Sequence, residues 1–248
     1  MSARVTQATI ERVRRISPTL QRLEIGVEAS LARLKPGHAL LARLSEEGWD
    51  PYLAEQWIPV ATDGLTITIE RPARDHYMPG QIVTLLGPVG APFPMRHNLH
   101  NLLLLAQDTP PTPLVLLASL AIRSQIEVTL VLGGTATEYP LEALPPEVEI
   151  LTGTIEEGWP NQVTTVGWAD QVIAVVDPRY REQQYAALLA RIHELRAEVP
   201  RQYVLGIFDL PMPCGTGACQ GCAVSCREKD RLVCVDGPAI DLQDVNFG

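Results

Sequence analysis

All five cysteines of this 248-residue chain lie between residues 214 and 234. A disulfide framework joins distant segments, so cysteines confined to one short stretch favour a local site that needs thiolates. Four of them follow the pattern C-x4-C-x2-C-x11-C, at positions Cys214, Cys219, Cys222 and Cys234. Whatever else the chain forms, its C-terminal segment has to fold so that these thiols come together.

The spacing of the first three cysteines is that of plant-type [2Fe–2S] proteins, in which the gap to the fourth cysteine is longer. Small residues lie between them, at Gly215, Gly217, Ala218 and Gly221. Glycine tolerates positive φ, and the lack of bulk lets backbone N–H groups turn toward cluster sulfurs. We therefore predict a [2Fe–2S] cluster on the four spaced cysteines, with Cys226 as a non-ligand close to it.

A structural zinc site is the alternative that these residue types leave open. Cys219 and Cys222 would form one half of such a site, and Cys226 or Cys234 would belong to the other half. Zinc sites usually contain two separated C-x2-C pairs, and this sequence has one. The spacing therefore favours the iron–sulfur interpretation.

Composition indicates a folded protein and excludes some classes of partner. Apolar residues make up 46% of the chain and charged residues 20%, as in globular proteins. The formal charge is −9 and the basic residues are scattered, so we expect no nucleic-acid partner and favour a protein partner. The N-terminus shows no signal-peptide pattern, and no window approaches the roughly 18 apolar residues of a membrane span. We expect a cytoplasmic protein without a membrane segment.

Residues 1–96 alternate apolar and polar residues over six short segments that turn residues separate. Two of the segments follow Pro-Gly turns, at Pro36-Gly37 and Pro79-Gly80. Several short strands at this spacing predict a six-stranded antiparallel β barrel. The six segments are VTQATIERVRRI, LQRLEIGV, HALLARL, EQWIPVA, LTITIERP and QIVTLLGP.

Residues 97–208 have the pattern of an α/β domain. Leu102–Ala106 (LLLLA) is a continuous apolar run, which is typical of a parallel strand covered on both faces. Helix-like and strand-like segments then alternate, and residues 180–197 form an amphipathic helix. We predict a parallel-sheet nucleotide-fold domain, followed by a cluster subdomain over residues 209–248.

A barrel, a parallel nucleotide-fold domain and this cysteine pattern, in that order, resemble the electron-transfer subunits of two-subunit dihydroorotate dehydrogenases. This family belongs to the ferredoxin-reductase superfamily. The most specific segments are Cys214–Pro238, with CGTGACQGC and CVDGP, and Pro79–Phe93. The resemblance implies a ferredoxin-reductase-like fold in which FAD occupies the barrel and a nicotinamide nucleotide lies against the second domain. It also implies a [2Fe–2S] cluster that exchanges single electrons with a flavin in a catalytic partner.

In that family the chain is an accessory subunit of a hetero-oligomer in pyrimidine biosynthesis rather than a complete enzyme. Carried over by position, the resemblance assigns flavin contacts to Gln56, Trp57, Ile58, Gly80 and Gly87.

The flavin motifs depart from the family pattern. Arg-Pro-x-Ser, whose arginine pairs with flavin phosphate, is here Gln56-Trp57-Ile58-Pro59, so a charge-assisted contact is lost. The Gly-Thr segment expected before the sixth strand is Ala73-Arg74-Asp75-His76, in which Arg74 or His76 could substitute. Two versions stay open: FAD held by altered contacts, or a barrel that has lost its flavin.

The nicotinamide motifs depart further. The Gly-rich turn expected after the first parallel strand is Gln107–Pro113 (QDTPPTP), which has no glycine and in which Asp108 would repel phosphate. The later Cys-Gly-Pro turn is Val176-Asp177-Pro178, while Gly133-Gly134 fits an ordinary turn. We therefore expect no NAD(P) in the usual manner.

The leading hypothesis is an accessory electron-transfer subunit with a [2Fe–2S] cluster. One alternative is a zinc-stapled, non-redox interaction subunit, and the other is an independent NAD(P)H-dependent flavin reductase.

Overall fold

The structure is a computed structural model that describes residues 3–44 and 54–247. In chain order its strands and helices are β1 (Arg4–Arg15), β2 (Leu20–Gly26), β3 (Ala39–Leu44), β4 (Glu55–Trp57), β5 (Pro59–Asp63), β6 (Thr66–Pro72), β7 (Ile82–Val89), β8 (Asn101–Gln107), α1 (Thr112–Arg123), β9 (Glu127–Gly133), β10 (Glu149–Thr152), α2 (Gln162–Trp168), β11 (Gln171–Val176), α3 (Arg181–Leu195), β12 (Val204–Ile207), β13 (Ala223–Val224), β14 (Arg231–Leu232), α4 (Val233–Asp236) and β15 (Ala239–Asp241).

The chain divides into two compact units, and each contains pieces of the C-terminal segment. The first unit comprises Met1–Pro92, Leu210–Ala223 and Leu232–Gly237; the second comprises Phe93–Asp209, Val224–Arg231 and Pro238–Gly248. The division into domains 1–96, 97–208 and 209–248 stays a prediction.

The first unit is built on an antiparallel sheet with the strand order β4-β3-β7-β1-β2-β6-β5. The two edge strands, β4 and β5, are consecutive in the chain and only Ile58 separates them. The sheet therefore curls into a near-closed barrel, as the alternation of apolar residues predicts. The predicted segment EQWIPVA forms both β4 and β5, so the barrel sheet has seven strands among the described residues where six were expected.

Side chains that alternate inward fill the barrel because successive residues of a strand point to opposite faces. On β7, for example, Val83 and Leu85 are fully buried whereas their neighbours are more exposed. The largest fully buried side chains of this core are Trp57, Ile10, Leu23, Ile25, Leu31, Leu40, Ile67, Ile69 and Leu85.

The second unit contains a six-stranded sheet with the order β10-β9-β8-β11-β12-β15. The first five strands are parallel, and β15 is antiparallel to β12. All six residues of β11 are buried, as in a parallel strand covered on both faces. The predicted parallel-sheet domain is confirmed.

The longest helix, α3, has 15 residues. Among residues 3–44 and 54–247, no helix combines the length and apolar character that a membrane crossing requires.

Helix α3 is anchored on the sheet by one buried hydroxyl. The Tyr185 side chain is completely buried, and its Oη donates a hydrogen bond to the carbonyl oxygen of Ile207 at 2.6 Å. Burial raises the pKa of this phenol well above its ordinary value. Gly206 leaves room for the ring, which lies 3.0 Å from the position of an added Cβ. The tyrosine therefore satisfies a carbonyl group inside an otherwise apolar layer.

Replacing Tyr185→Phe should lower the free energy of unfolding by about 1–2 kcal/mol, because a buried hydrogen bond is lost while the ring stays in place. Urea unfolding followed by circular dichroism measures this. Tyr180→Phe is the matched control, since the Tyr180 side chain is 54% exposed and should change stability little. Equal stability of the two variants would contradict this account of α3.

Candidate metal centre

The four candidate ligands lie on two arms of the C-terminal segment, and both arms belong to the first unit. Cys214, Cys219 and Cys222 lie between β12 and β13, in a stretch without helix or strand, and Cys234 lies in α4. The backbone N–H of Val233 donates to the carbonyl oxygen of Cys222 at 3.1 Å. This bond holds the two arms side by side.

The barrel supports both arms. Gly215 has φ +65°, and a Cβ added there would lie 2.9 Å from Leu41 Cδ1 and 3.0 Å from Val89 Cγ1. Glycine is needed at this position because the backbone conformation is left-handed and the loop rests directly on β3 and β7. On the other arm, the N–H of Gly90 donates to the carbonyl oxygen of Cys234 at 2.9 Å.

The four sulfur atoms form two pairs. Cys222 Sγ and Cys234 Sγ are 3.3 Å apart and both residues are buried. The side chain of Cys219 hydrogen-bonds to that of Cys214, and Cys219 is exposed. In the part of the chain that the structure describes, no three His, Cys, Asp or Glu side chains are gathered closely enough to hold a metal ion. A single metal ion bound by all four sulfurs would therefore require the two pairs to approach each other.

Every one of the four sulfurs accepts a backbone N–H. The donors are Thr216 to Cys214 (3.5 Å), Gly221 to Cys219 (3.4 Å), Cys234 to Cys222 (3.4 Å) and Gly217 to Cys234. Amide donors aimed at thiolate sulfur stabilise negative charge there, and in iron–sulfur proteins they help to set the reduction potential. The donor set therefore fits a cluster held by thiolates.

One thiol of each pair has a shifted pKa, and the two shifts have opposite directions and different causes. Hydrogen bonds from the backbone of Cys219 and Thr216 lower the pKa of Cys214 to about 6. Burial, together with the neighbouring Cys222, raises the pKa of Cys234 to about 12. Metal ligands have to be thiolates, so metal binding at Cys234 releases a proton.

Cys226 has different surroundings from the four spaced cysteines. It is buried and forms an isolated antiparallel β-bridge with Val245. Desolvation raises the pKa of its thiol. These contacts are packing contacts, and the exclusion of Cys226 from the ligands stays a prediction.

The structure places the five predicted flavin contacts in different settings. Trp57 is completely buried in the barrel core, and an added Cβ at Gly87 would overlap Leu40 Cδ2. Gln56 and Ile58 are half-buried. Gly80 lies in an exposed turn with φ +88° and open space around an added Cβ. These five assignments stay predictions, although packing alone accounts for two of them.

An ion-pair network next to Gln56 was missed by the sequence reasoning. Arg71 Nη2 lies 2.9 Å from Glu55 Oε2 and 3.3 Å from Asp75 Oδ2, and its Nε donates to Tyr77 Oη at 3.0 Å. No motif joins these residues, because Glu55 on β4 and Arg71 on β6 come together only when the barrel sheet curls. Two carboxylates around one guanidinium do not fit a flavin diphosphate, which would add negative charge.

Of the proposed substitutes for the lost flavin contacts, Arg74 has an 88% exposed side chain and His76 is also exposed.

Comparisons with known proteins also indicate an iron–sulfur site in the C-terminal segment. Residues 211–246 match the family described as the iron–sulfur cluster binding domain of dihydroorotate dehydrogenase B. A protein of Methanopyrus kandleri, named "Probable dihydroorotate dehydrogenase B (NAD(+)), electron transfer subunit", is 32% identical over 201 residues, which are 74% of this chain and 72% of that protein.

Solved structures share the fold. A chain of the NADH-dependent reduced ferredoxin-NADP oxidoreductase superposes with a TM-score of 0.73 at 19% identity, covering 96% of this chain and 89% of that one. A ferredoxin NADP+ reductase from Neisseria gonorrhoeae, solved with bound FAD and NADP, gives 0.57 at 15% identity over 83% of this chain and 98% of that one. At these identities the superpositions establish a ferredoxin-reductase-like fold. Together with the sequence match to the relative, they show that the chain belongs to the family of dihydroorotate dehydrogenase B electron-transfer subunits.

Proposed function

We propose that this chain relays single electrons between a [2Fe–2S] cluster on Cys214, Cys219, Cys222 and Cys234 and a flavin in a catalytic partner of the dihydroorotate dehydrogenase type. One observation carries the proposal: all four sulfurs accept backbone N–H groups on two joined arms of the segment that matches the iron–sulfur family.

The two sulfur pairs suit a two-iron cluster, because each iron of a [2Fe–2S] centre takes two protein thiolates. When bound, such a cluster takes up and gives up one electron at a time. Cys222 and Cys234 would hold its buried side, where water is excluded. Cys219 would hold the exposed side, so a partner that docks there comes close to the redox centre.

A catalytic partner is implied by the name of the Methanopyrus kandleri relative, which is an electron-transfer subunit. We extend this to a hetero-oligomer whose catalytic subunit contains the flavin. The formal charge of −9 favours a partner surface that is neutral or basic.

The proposed electron transfer does not use FAD in the barrel. The Arg71 guanidinium, which donates to the carbonyl oxygen of Gln56 in the matched flavin stretch, already contacts the carboxylates of Glu55 and Asp75. The chain would therefore serve as a scaffold that presents its cluster to the partner.

Anaerobically purified protein should contain two iron and two acid-labile sulfide ions per chain, as the cluster stoichiometry requires. The solution should be red-brown and should bleach when dithionite is added, which a visible spectrum records. A colourless protein with stoichiometric zinc and no sulfide would instead establish the zinc-stapled alternative.

Cys234→Ser should remove most of the visible absorbance, because it deletes a ligand of the buried pair. Cys226→Ser is the matched control, because it also replaces a sulfur atom by oxygen in the C-terminal segment. This variant should retain the iron. Loss of the cluster in Cys226→Ser together with its retention in Cys234→Ser would overturn the ligand assignment.

Heat denaturation of the purified protein should release far less than one flavin per chain, since the Arg71 guanidinium beside the matched flavin stretch is already paired with two carboxylates. Chromatography of the supernatant with flavin standards measures this. Stoichiometric FAD would refute the flavin-free version and would support a barrel that binds FAD through altered contacts.

A further inference from the structure

The parallel sheet of the second unit has a topological switch point at β8. Strand β8 pairs with β9 on one side and with β11 on the other, so the strands that follow β8 in the chain are added to the sheet on both sides of it. In open α/β sheets, ligands bind in the crevice beyond the carboxyl ends of the strands at such a point. Gln107 ends β8, and Asp108 is the next residue, at the carboxyl end of this strand.

The Asp108 carboxylate is held by donors from three segments of the chain. Its Oδ2 accepts hydrogen bonds from Gln107 Nε2 at 2.8 Å and from Gln184 Nε2 on α3 at 3.0 Å. Its Oδ1 accepts the backbone N–H of Thr135 at 3.4 Å. Both glutamines are buried, with relative exposures of 4% and 6%. Amide donors directed at one anion are also what a bound phosphate requires.

The glycine that follows β9 makes room for this carboxylate. Gly134 has φ +56°, and a Cβ added there would overlap Asp108 Oδ1. Asp108 itself has φ +57°, a conformation that aspartate tolerates better than most residues and that places its backbone in the left-handed region. The Gly133-Gly134 turn thus leaves space next to its backbone, and the Asp108 side chain occupies that space.

A second carboxylate lies at the same edge of the sheet. The N–H of Asp177, which follows β11, donates to the carbonyl oxygen of Gln107 at 3.0 Å. Its carboxylate pairs with Arg179, whose Nη2 lies 2.6 Å from Asp177 Oδ2. The carboxylates of Asp108 and Asp177 therefore follow neighbouring strands at this edge of the sheet, and Arg179 pairs with Asp177. An incoming diphosphate would be repelled by Asp108 and would compete with it for the same donors.

We propose that Asp108 is an internal substitute for phosphate that closes the nucleotide edge of this sheet, so that the chain binds no nicotinamide nucleotide there. The proposal goes beyond the electron relay, because it concerns a different set of residues and holds whether or not a cluster is present. It departs from the Methanopyrus kandleri relative, whose name includes NAD(+).

The test compares the wild-type chain with Asp108→Ala. NADH is titrated by its fluorescence, and inorganic pyrophosphate is titrated by calorimetry as a probe for the anion site. The wild type should show no saturable binding up to about 1 mM, whereas Asp108→Ala should bind both probes at least about tenfold more tightly, because three donors are released.

Asp170→Ala is the matched control. Asp170 is a carboxylate at the opposite end of the same strands, where its Oδ2 accepts the N–H groups of His100 at 2.8 Å and Asn101 at 2.9 Å. Its removal takes away a comparable number of hydrogen bonds but should not create binding of NADH or pyrophosphate. Circular dichroism confirms that each variant is folded before titration.

A second measurement does not depend on any ligand. Gly134→Ala should lower the urea midpoint strongly, and adding Asp108→Ala should restore part of this loss, because the overlapping carboxylate is gone. Saturable NADH binding by the wild type would overturn the proposal. So would a folded Asp108→Ala variant that binds the probes no better than the wild type, or strictly additive effects in the double variant.

Discussion

The close approach of a backbone loop to the outside of the barrel is the constraint on which the candidate metal centre depends. The stretch that carries Cys214, Cys219 and Cys222 has no helix or strand of its own. Its position comes from Gly215, which rests on Leu41 and Val89 where no Cβ fits well. Because the second arm is tied through Cys234 to Gly90, the strands of the barrel fix where the thiols can meet. The barrel is thus a scaffold for the metal centre in addition to any role as a flavin domain.

Backbone and amide donors are used in two opposite ways in this molecule. Around the cysteines, N–H groups point at sulfurs that a metal converts to thiolates, so the donors are matched to a cofactor. At the carboxyl edge of the parallel sheet, comparable donors are already satisfied by Asp108, and in the barrel Arg71 is already paired with Glu55. Under both proposals, the chain presents its donors to one redox group and occupies those that its fold would offer to nucleotides.

The residues that build the fold differ from the residues that bind ligands, so the fold can persist while its binding sites change. The chain superposes on a ferredoxin-NADP oxidoreductase chain with a TM-score of 0.73 although only 19% of residues are identical. Strand order and burial of apolar residues depend on pattern rather than on particular side chains. Binding of a diphosphate depends on a few groups at strand ends, and a single residue such as Asp108 is enough to occupy that position.

Local pattern was sufficient to predict the candidate cluster ligands, the alternating strands of the barrel, the buried parallel strands and the departure from the nucleotide motif at Gln107–Pro113. Each of these depends only on neighbouring residues. Local pattern was not sufficient for the split of one predicted strand at Ile58, the Arg71 network or the donors around Asp108. Gln184 is 76 residues from Asp108 and becomes its partner only when α3 packs on the sheet. The pairing of the sulfurs likewise depends on the hydrogen bond that joins the two arms of the C-terminal segment, and the burial of Trp57 depends on the strands that enclose the barrel core. The sequence by itself therefore determined the family, the fold class and the candidate ligands, and the tertiary structure decided which polar groups remain available to a ligand, because their partners are distant along the chain.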